Sequence, residues 1–277
     1  MIHKSSLKNI SESRKILIRE EDFVYLLPCE QLRCLISNFT ISFSNPSMIS
    51  DAYTVMPHGS VTLVIFHNLK GIHTLLFGPC TKPQRVGDIA NKCDVIFIIE
   101  FQPAGFYPFT ETYQKELTDR VVPFSFIDAV SDRIIRDIFS NALSADTLVD
   151  DFEKELIRNI RCIYPEELSA AVKAIIQMEG VMTSVKISNH VFYSPRHLNR
   201  LFNLYLGMSM KAFSRLVRIN KSIQLLNESK TTLTFICEKL GYYDVSHLVK
   251  EFKSVCGTTP QEYRTNMSDF YSEIAKF

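Results

Sequence analysis

The chain has 277 residues, 46% apolar and 22% charged, a composition that excludes a disordered or fibrous protein and leaves room for about two domains with separate cores. Its formal net charge of +1 conceals an uneven spread: residues 1–169 hold 17 Lys and Arg against 22 Asp and Glu, while residues 170–264 hold 13 against 6. A basic segment beside an acidic one points to a polyanion as the partner of the last segment.

The N-terminal stretch MIHKSSLKNISESRKILIREEDF is polar and lacks the apolar core of a signal peptide, so a cytoplasmic protein is expected. The apolar runs VTLVIF (61–66) and VIFIIEF (95–101) are far shorter than the ~20 residues of a membrane helix. The seven cysteines are odd in number and form no C-x-x-C pair, which predicts reduced thiols rather than a zinc or disulfide framework.

From about residue 23 to 101, short segments rich in Val, Ile, Phe and Thr are punctuated by Asn45-Pro46, Pro57-His58-Gly59, Lys70-Gly71, Gly78-Pro79, Lys82-Pro83 and Gly87-Asp88. This is the spacing of hairpin strands. The expected fold class is α+β in two domains: a β-sandwich or cupin-like barrel followed by helices, then an all-α domain. Phe66, Phe97, Phe101, Phe106 and Tyr107 are candidates to line an apolar ligand pocket, with core packing as the competing use of the same rings. His58, His67, His73 and Glu100 raise a cupin-type metal or enzymatic site as an alternative, but lack the tight His-x-His pair such sites use. No catalytic residue, metal or cofactor is assigned, and an enzyme is not expected.

After FQPAGFYPFT (101–110) the period becomes helical. FIDAVSDRIIRDIFSNAL (126–143) and TLVDDFEKELIRNI (147–160) predict two amphipathic helices, the second capped by Asp146. The stripe Ile134, Ile135, Ile138, Phe139 would either pair two subunits in a homodimer or cover the β-domain. The expected division is 1–160 for the β-rich domain, 161–169 for a linker, 170–264 for the basic helical domain and 265–277 for a tail.

The helical domain is written twice. Shifting GYYDVSHLVKEFKSVCG (241–257) back by fifty positions superimposes it on VFYSPRHLNRLFNLYLG (191–207) without a gap, placing Tyr243 on Tyr193, His247 on His197, Leu248 on Leu198, Phe252 on Phe202 and Gly257 on Gly207. Upstream the same shift pairs Phe235 with Val185 and Cys237 with Ile187; downstream it pairs Tyr263 with Phe213. Each copy predicts a short helix (about 183–190 and 232–240), a turn, and a second helix capped by Ser194 or Asp244. This is a helix-turn-helix repeated. Between the copies, MKAFSRLVRINKSIQLLNES (210–229) predicts a connecting helix with Lys211, Arg215, Arg218 and Lys221 off its apolar stripe, which would fix two units at the roughly 34 Å spacing of successive major-groove faces. His197 and His247 are expected in packing or phosphate contact, and Glu251 and Glu262 as solvated or cap-related charges.

SPRHLNRLFNLYLGMS, RINKSIQLLNES and GYYDVSHLVKEFKSVCGTTPQEYR resemble the paired helix-turn-helix domain of AraC/XylS-type bacterial transcription regulators over roughly residues 170–264. Carried over by position, the resemblance makes Arg196, Asn199 and Arg200 the base-facing residues of the first recognition helix, and Val245, Ser246, Val249 and Lys250 those of the second. Val245 and Val249 cannot hydrogen-bond a base edge, so the second unit would offer methyl contact to thymine and phosphate contact from Lys250 or Lys253. Val55-Met56-Pro57-His58-Gly59 and Phe101-Gln102-Pro103-Ala104-Gly105-Phe106-Tyr107 resemble the sensor half of one AraC subgroup, with His58 where the family usually has an acid. The resemblance implies double-stranded DNA as partner, a small-molecule effector, a homodimer and contact with RNA polymerase. An unliganded regulator controlled by abundance or protein partners, and a helical protein-interaction module that never meets DNA, are the remaining alternatives.

Overall fold

The computed structural model describes residues 1–45, 53–228 and 230–266. Pro46 of the expected Asn45-Pro46 turn, Ser229 at the end of the expected connecting helix, and residues 267–277 of the expected tail lie outside them. The N-terminal half contains β1 Ile16–Arg19, β2 Phe23–Leu26, β3 Ile36–Phe43, β4 Thr54–Val55, β5 Thr62–Asn68, β6 Gly71–Phe77, β7 Gln84–Arg85, α1 Gly87–Ala90, β8 Val95–Phe101, α2 Tyr107–Thr110 and β9 Val121–Pro123. It continues into α3 Ala129–Asn141 and α4 Ala145–Arg158. The C-terminal half is helical: α5 Glu166–Gln177, α6 Ser184–Val191, α7 Pro195–Tyr205, α8 Met210–Asn227, α9 Leu233–Leu240, α10 Val245–Cys256 and α11 Pro260–Asn266.

Seven strands form one antiparallel sheet in the order β1-β2-β3-β8-β5-β6-β9, and β4 pairs with β7. Strand side chains alternate between faces, so the register decides what is buried. Ile41 and Ile65 flank Phe97 from either side, and Leu63 lies opposite Ile99. That face is covered by α3 and α4: Phe97 stacks on Phe39 at 5.6 Å between ring centroids and meets Phe152 of α4 at 4.7 Å. The other face carries a smaller cluster of Phe66, Ile96 and Cys93. The α+β class therefore holds, but helices form the second layer on the main core. Among the described residues β1 and β9 are the edges of the sheet, which does not close into the cupin-like barrel expected as one of its forms.

Asp146 does not cap α4. Ser144 does, in a reciprocal capping box with Thr147, because its hydroxyl stands three residues before that backbone N–H. Asp146 instead accepts from Arg14 Nε at 3.1 Å and from the Ser11 backbone N–H at 3.0 Å, tying the N-terminal segment to α4. The stripe on α3 divides: Ile135 and Phe139 are buried in the main core, while Ile134 and Ile138 are half-buried.

The chain between α4 and α5 covers residues 159–165, and Leu168, inside the expected linker, is buried in the C-terminal core. Pro165 precedes α5, and Glu166 and Glu167 occupy its first turn, where the helix dipole favours acids. The two halves also touch. Tyr205, the last residue of α7, meets Tyr107 and Tyr113 with ring centroids 4.8 and 5.3 Å away. The Tyr107 hydroxyl is pushed up from its ordinary range by its hydrogen bond to Tyr113 and by burial. Met56 and Ala104 from the N-terminal half belong to the C-terminal core, and Asn220 Nδ2 of α8 donates to the Pro57 carbonyl at 3.5 Å.

Gly207 and Gly257, which follow the two recognition helices, both lie in the left-handed region, at φ 73° and 72°. A Cβ on Gly207 would stand 2.2 Å from Thr118 Oγ1 of the N-terminal half, whereas one on Gly257 meets only Pro83 Cγ at 3.8 Å. Gly207→Ala and Gly257→Ala should therefore share a backbone cost of about 1–2 kcal/mol, with about 1–3 kcal/mol more at Gly207. Urea unfolding of both variants checks this, and Thr118→Ala should narrow the gap between them.

Candidate nucleic-acid interface

Each helix-turn-helix unit is built from local signals. Thr183 and Thr232 cap α6 and α9, and Ser194 and Asp244 cap α7 and α10 by accepting from the backbone N–H of His197 at 3.2 Å and His247 at 2.7 Å. Leu198, Phe202, Leu248 and Phe252 are fully buried, and the repeat extends to a shared contact: Phe202 against Phe213 and Phe252 against Tyr263, each at 5.7 Å.

The two units differ by one residue. The recognition helices superimpose with a shift of fifty, but the caps Thr183 and Thr232 and the buried pair Ile187 and Ile236 are forty-nine apart. The gapless match therefore holds only from the recognition helices onward. Tyr193 corresponds to Tyr242: their backbone N–H groups donate to Ser188 and Cys237 at 3.1 and 3.0 Å, and their rings contact His197 and His247. Phe192, at φ 61°, takes the left-handed position that Gly241 holds at 65°. Tyr243 is the extra residue of the second turn.

The connecting helix α8 packs against both units, with Met210, Phe213, Leu216, Val217, Ile219, Ile223, Leu225 and Leu226 buried. Lys211 is exposed, but Arg215, Arg218 and Lys221 are not simply solvated. Arg218 Nη2 lies 2.6 Å from Glu251 Oε1, and its guanidinium sits over the Tyr242 ring at 4.7 Å. Arg215 Nε approaches the same carboxylate at 3.9 Å, and Lys221 pairs with Glu179 at 3.2 Å. Glu251, expected as a solvated or cap-related charge, instead fastens α10 to α8 with its side chain 13% exposed. Burial pushes the Tyr242 hydroxyl up to about 12. Glu262 does act as a cap, accepting from the Thr259 N–H at 2.8 Å, and those backbone and hydroxyl bonds lower its pKa.

Of the expected DNA-facing residues, Arg196, Arg200, Ser246, Lys250 and Lys253 are exposed. Among the described residues, the four cations in that set form no ion pair. Asn199 is half-buried and its Oδ1 accepts from the Met210 N–H at 3.0 Å, so its oxygen is committed to fixing α7 against α8. His197 Nε2 lies 3.1 Å from Glu167 Oε1, and His247 Nδ1 accepts from the Tyr243 N–H at 3.3 Å. Both histidines are engaged in packing.

The candidate ligand aromatics are dispersed. Phe97, Phe101 and Phe106 belong to the main core, with Phe101 and Phe106 in edge contact at 5.1 Å. Phe66 is on the opposite sheet face, stacked on His73, and Tyr107 lies at the joint between the halves. His67 pairs with Asp94 at 2.7 Å and His73 lies 3.2 Å from Asn68 Oδ1. Among the described residues no three His, Cys, Asp or Glu side chains converge as a metal site would require.

Residues 187–266 match a family described as a helix-turn-helix domain, and residues 25–123 match a domain of unknown function (DUF6597). The regulatory protein PocR of Salmonella typhimurium is 29% identical over 83 residues, which make up 30% of this chain and 27% of PocR. This chain thus spans little more than a quarter of that relative. The multiple antibiotic resistance protein MarA of Escherichia coli is 30% identical over 91 residues, 32% of this chain and 72% of MarA. The chain belongs to the AraC/XylS-type family. Among solved structures, ToxT of Vibrio cholerae aligns over 82% of this chain and 97% of its own at 12% identity and a TM-score of 0.44, a distant likeness that carries no residue correspondence. The helix-turn-helix match, over residues 187–266, falls on the paired units of this AraC-type chain and not on the N-terminal sheet.

Glu251→Ala should destabilise the AraC-type domain by about 1.5–3 kcal/mol, since it strands the half-buried Arg218 guanidinium. Lys250→Ala, one residue away but exposed, should stay within about 0.5 kcal/mol of the parent. Chemical denaturation of the two variants separates a structural from a surface role.

Proposed function

We propose that this protein is a sequence-specific transcription regulator in which residues 170–264 bind duplex DNA and residues 1–160 sense a small-molecule effector. The observation that carries the reading is the pair of capped recognition helices, held on one buried connecting helix, whose Arg196, Arg200, Lys250 and Lys253 are exposed and form no ion pair among the described residues. The structural cations behave differently: Arg14, Arg161 and Arg218 are bound to carboxylates. Exposed cations at a helix-turn-helix are the groups that neutralise phosphates. No catalytic role is assigned to any residue, and the protein is assigned to the cytoplasm.

Within this reading Arg200 reads a base and Lys250 a phosphate. An Arg that reaches guanine O6 and N7 is worth about 1–3 kcal/mol of discrimination, and Asn199, with its oxygen committed to Met210, can add only its amide N–H groups. A homodimer joined along the outer edge of α3, where Ile134 and Ile138 are half-buried and Val130 is exposed, as is Leu143 just past its end, belongs to the same proposal, as does contact with RNA polymerase.

Binding of the full chain to genomic fragments should weaken steeply with salt, by a slope near −0.9 per phosphate contact. Arg200→Ala should relax preference at one or two base pairs, whereas Lys250→Ala should weaken all sequences alike and flatten the slope by about one contact. Affinities across an operator library, measured at several salt concentrations, read both effects. Salt-independent binding contradicts the proposal. Sedimentation at micromolar concentration tests the dimer, and a thermal-shift screen of small molecules tests the effector.

A further inference from the structure

The second unit poses a problem that its charges do not solve. By the shift of fifty, α10 carries Ser246 and Lys250 where the first recognition helix carries Arg196 and Arg200, and beside them Val245, 36% exposed, and Val249, half-buried, where the first helix carries Pro195 and Asn199. Two residues before Val245 stands Tyr243, the residue by which the second turn exceeds the first. Its side chain is 93% exposed, while its predecessor Tyr242 is 6% exposed. The exposure belongs to an ordered turn. The Tyr243 backbone N–H donates to His247 Nδ1, and the His247 ring packs edge-on against Tyr242 at 5.4 Å. The backbone that carries Tyr243 is thus anchored to α10 itself.

An exposed aromatic ring two residues before Val245, with the N-cap Asp244 between them and Lys250 and Lys253 exposed further along α10, puts apolar groups at the N-terminal end of a recognition helix that also carries cations. Recognition helices present their N-terminal residues to base edges, and the only apolar group displayed in the major groove is the 5-methyl of thymine. We propose that the second unit reads thymine methyl groups through Tyr243, Val245 and Val249, with Tyr243 a specificity-determining residue. This inference rests on the DNA-binding reading above. It adds methyl recognition in the second unit to the hydrogen bonding of the first, with the exposed Lys250 and Lys253 as contacts to the phosphate backbone.

The test uses the full chain and a fragment selected from genomic DNA, with each thymidine of the bound site replaced in turn by deoxyuridine, which deletes only the methyl group. Loss of about fourfold in affinity per contacted methyl is expected at one cluster of positions, the worth of one buried methyl group. Tyr243→Ala should bind the thymine site more weakly and lose the thymine–uracil difference at one of those positions, and Tyr243→Phe should keep both. Arg200→Ala should leave the difference intact. Equal binding of thymine and uracil sites by the parent overturns the inference, as does a Tyr243→Ala variant that weakens both sites equally. Either result leaves DNA binding itself standing; failure to bind any fragment overturns the regulator reading and the inference together.

Discussion

The burial of α8 between two copies of one structural unit is the constraint on which the rest of the C-terminal half depends. Its apolar residues are buried around most of its circumference, as a helix must be when neighbours cover it on more than one side. Phe202 and Phe213 close one unit against it, and Tyr242, Arg218 and Glu251 close the other. A rigid spacer follows directly from this packing, because neither unit can rotate without opening the core. The Asn199 bond to the Met210 N–H adds a directional restraint at the junction of α7 and α8.

The same packing reaches the N-terminal half. Phe213 of α8 lies where a Cβ on Gly59 would stand, 2.9 Å away, and Tyr205 closes the end of α7 over Tyr107 and Tyr113. A change in the β-domain at those positions would therefore press on α8 at Phe213 and on the end of α7, the helix that carries Arg196 and Arg200. Tyr107 and Gly59 lie in or beside the two sequence segments that resemble the sensor half of an AraC subgroup, so those segments sit at the joint between the halves.

Much of this was legible in the residues, and the reasons for the exceptions are physical. Caps at Ser194 and Asp244, the buried Leu and Phe positions and the left-handed glycine after each recognition helix follow from local chemistry that tertiary packing does not override. Sequence alone puts the α4 cap at Asp146 because two hydrogen-bonding side chains, Ser144 and Asp146, stand two apart, whereas in the fold Arg14 from over a hundred residues away claims the acid. Glu251 looked solvated because its partners Arg215 and Arg218 lie on another helix. The one-residue difference between the turns was visible in the caps Thr183 and Thr232, forty-nine apart, but the stronger match of the recognition helices concealed it. The dispersal of Phe66 and Phe97 to opposite sheet faces could not be read without knowing strand register, since one step along a strand exchanges its faces.

In the proposed function one rigid body offers two reading helices to DNA in a fixed rotational phase. Inserting about five base pairs, half a helical turn, between the two contacted segments of a selected site tests it most directly. Full-chain affinity should fall to that of a site with one segment scrambled, and about ten inserted base pairs should not restore it, because α8 cannot lengthen. Unchanged affinity after the half-turn insertion would contradict it.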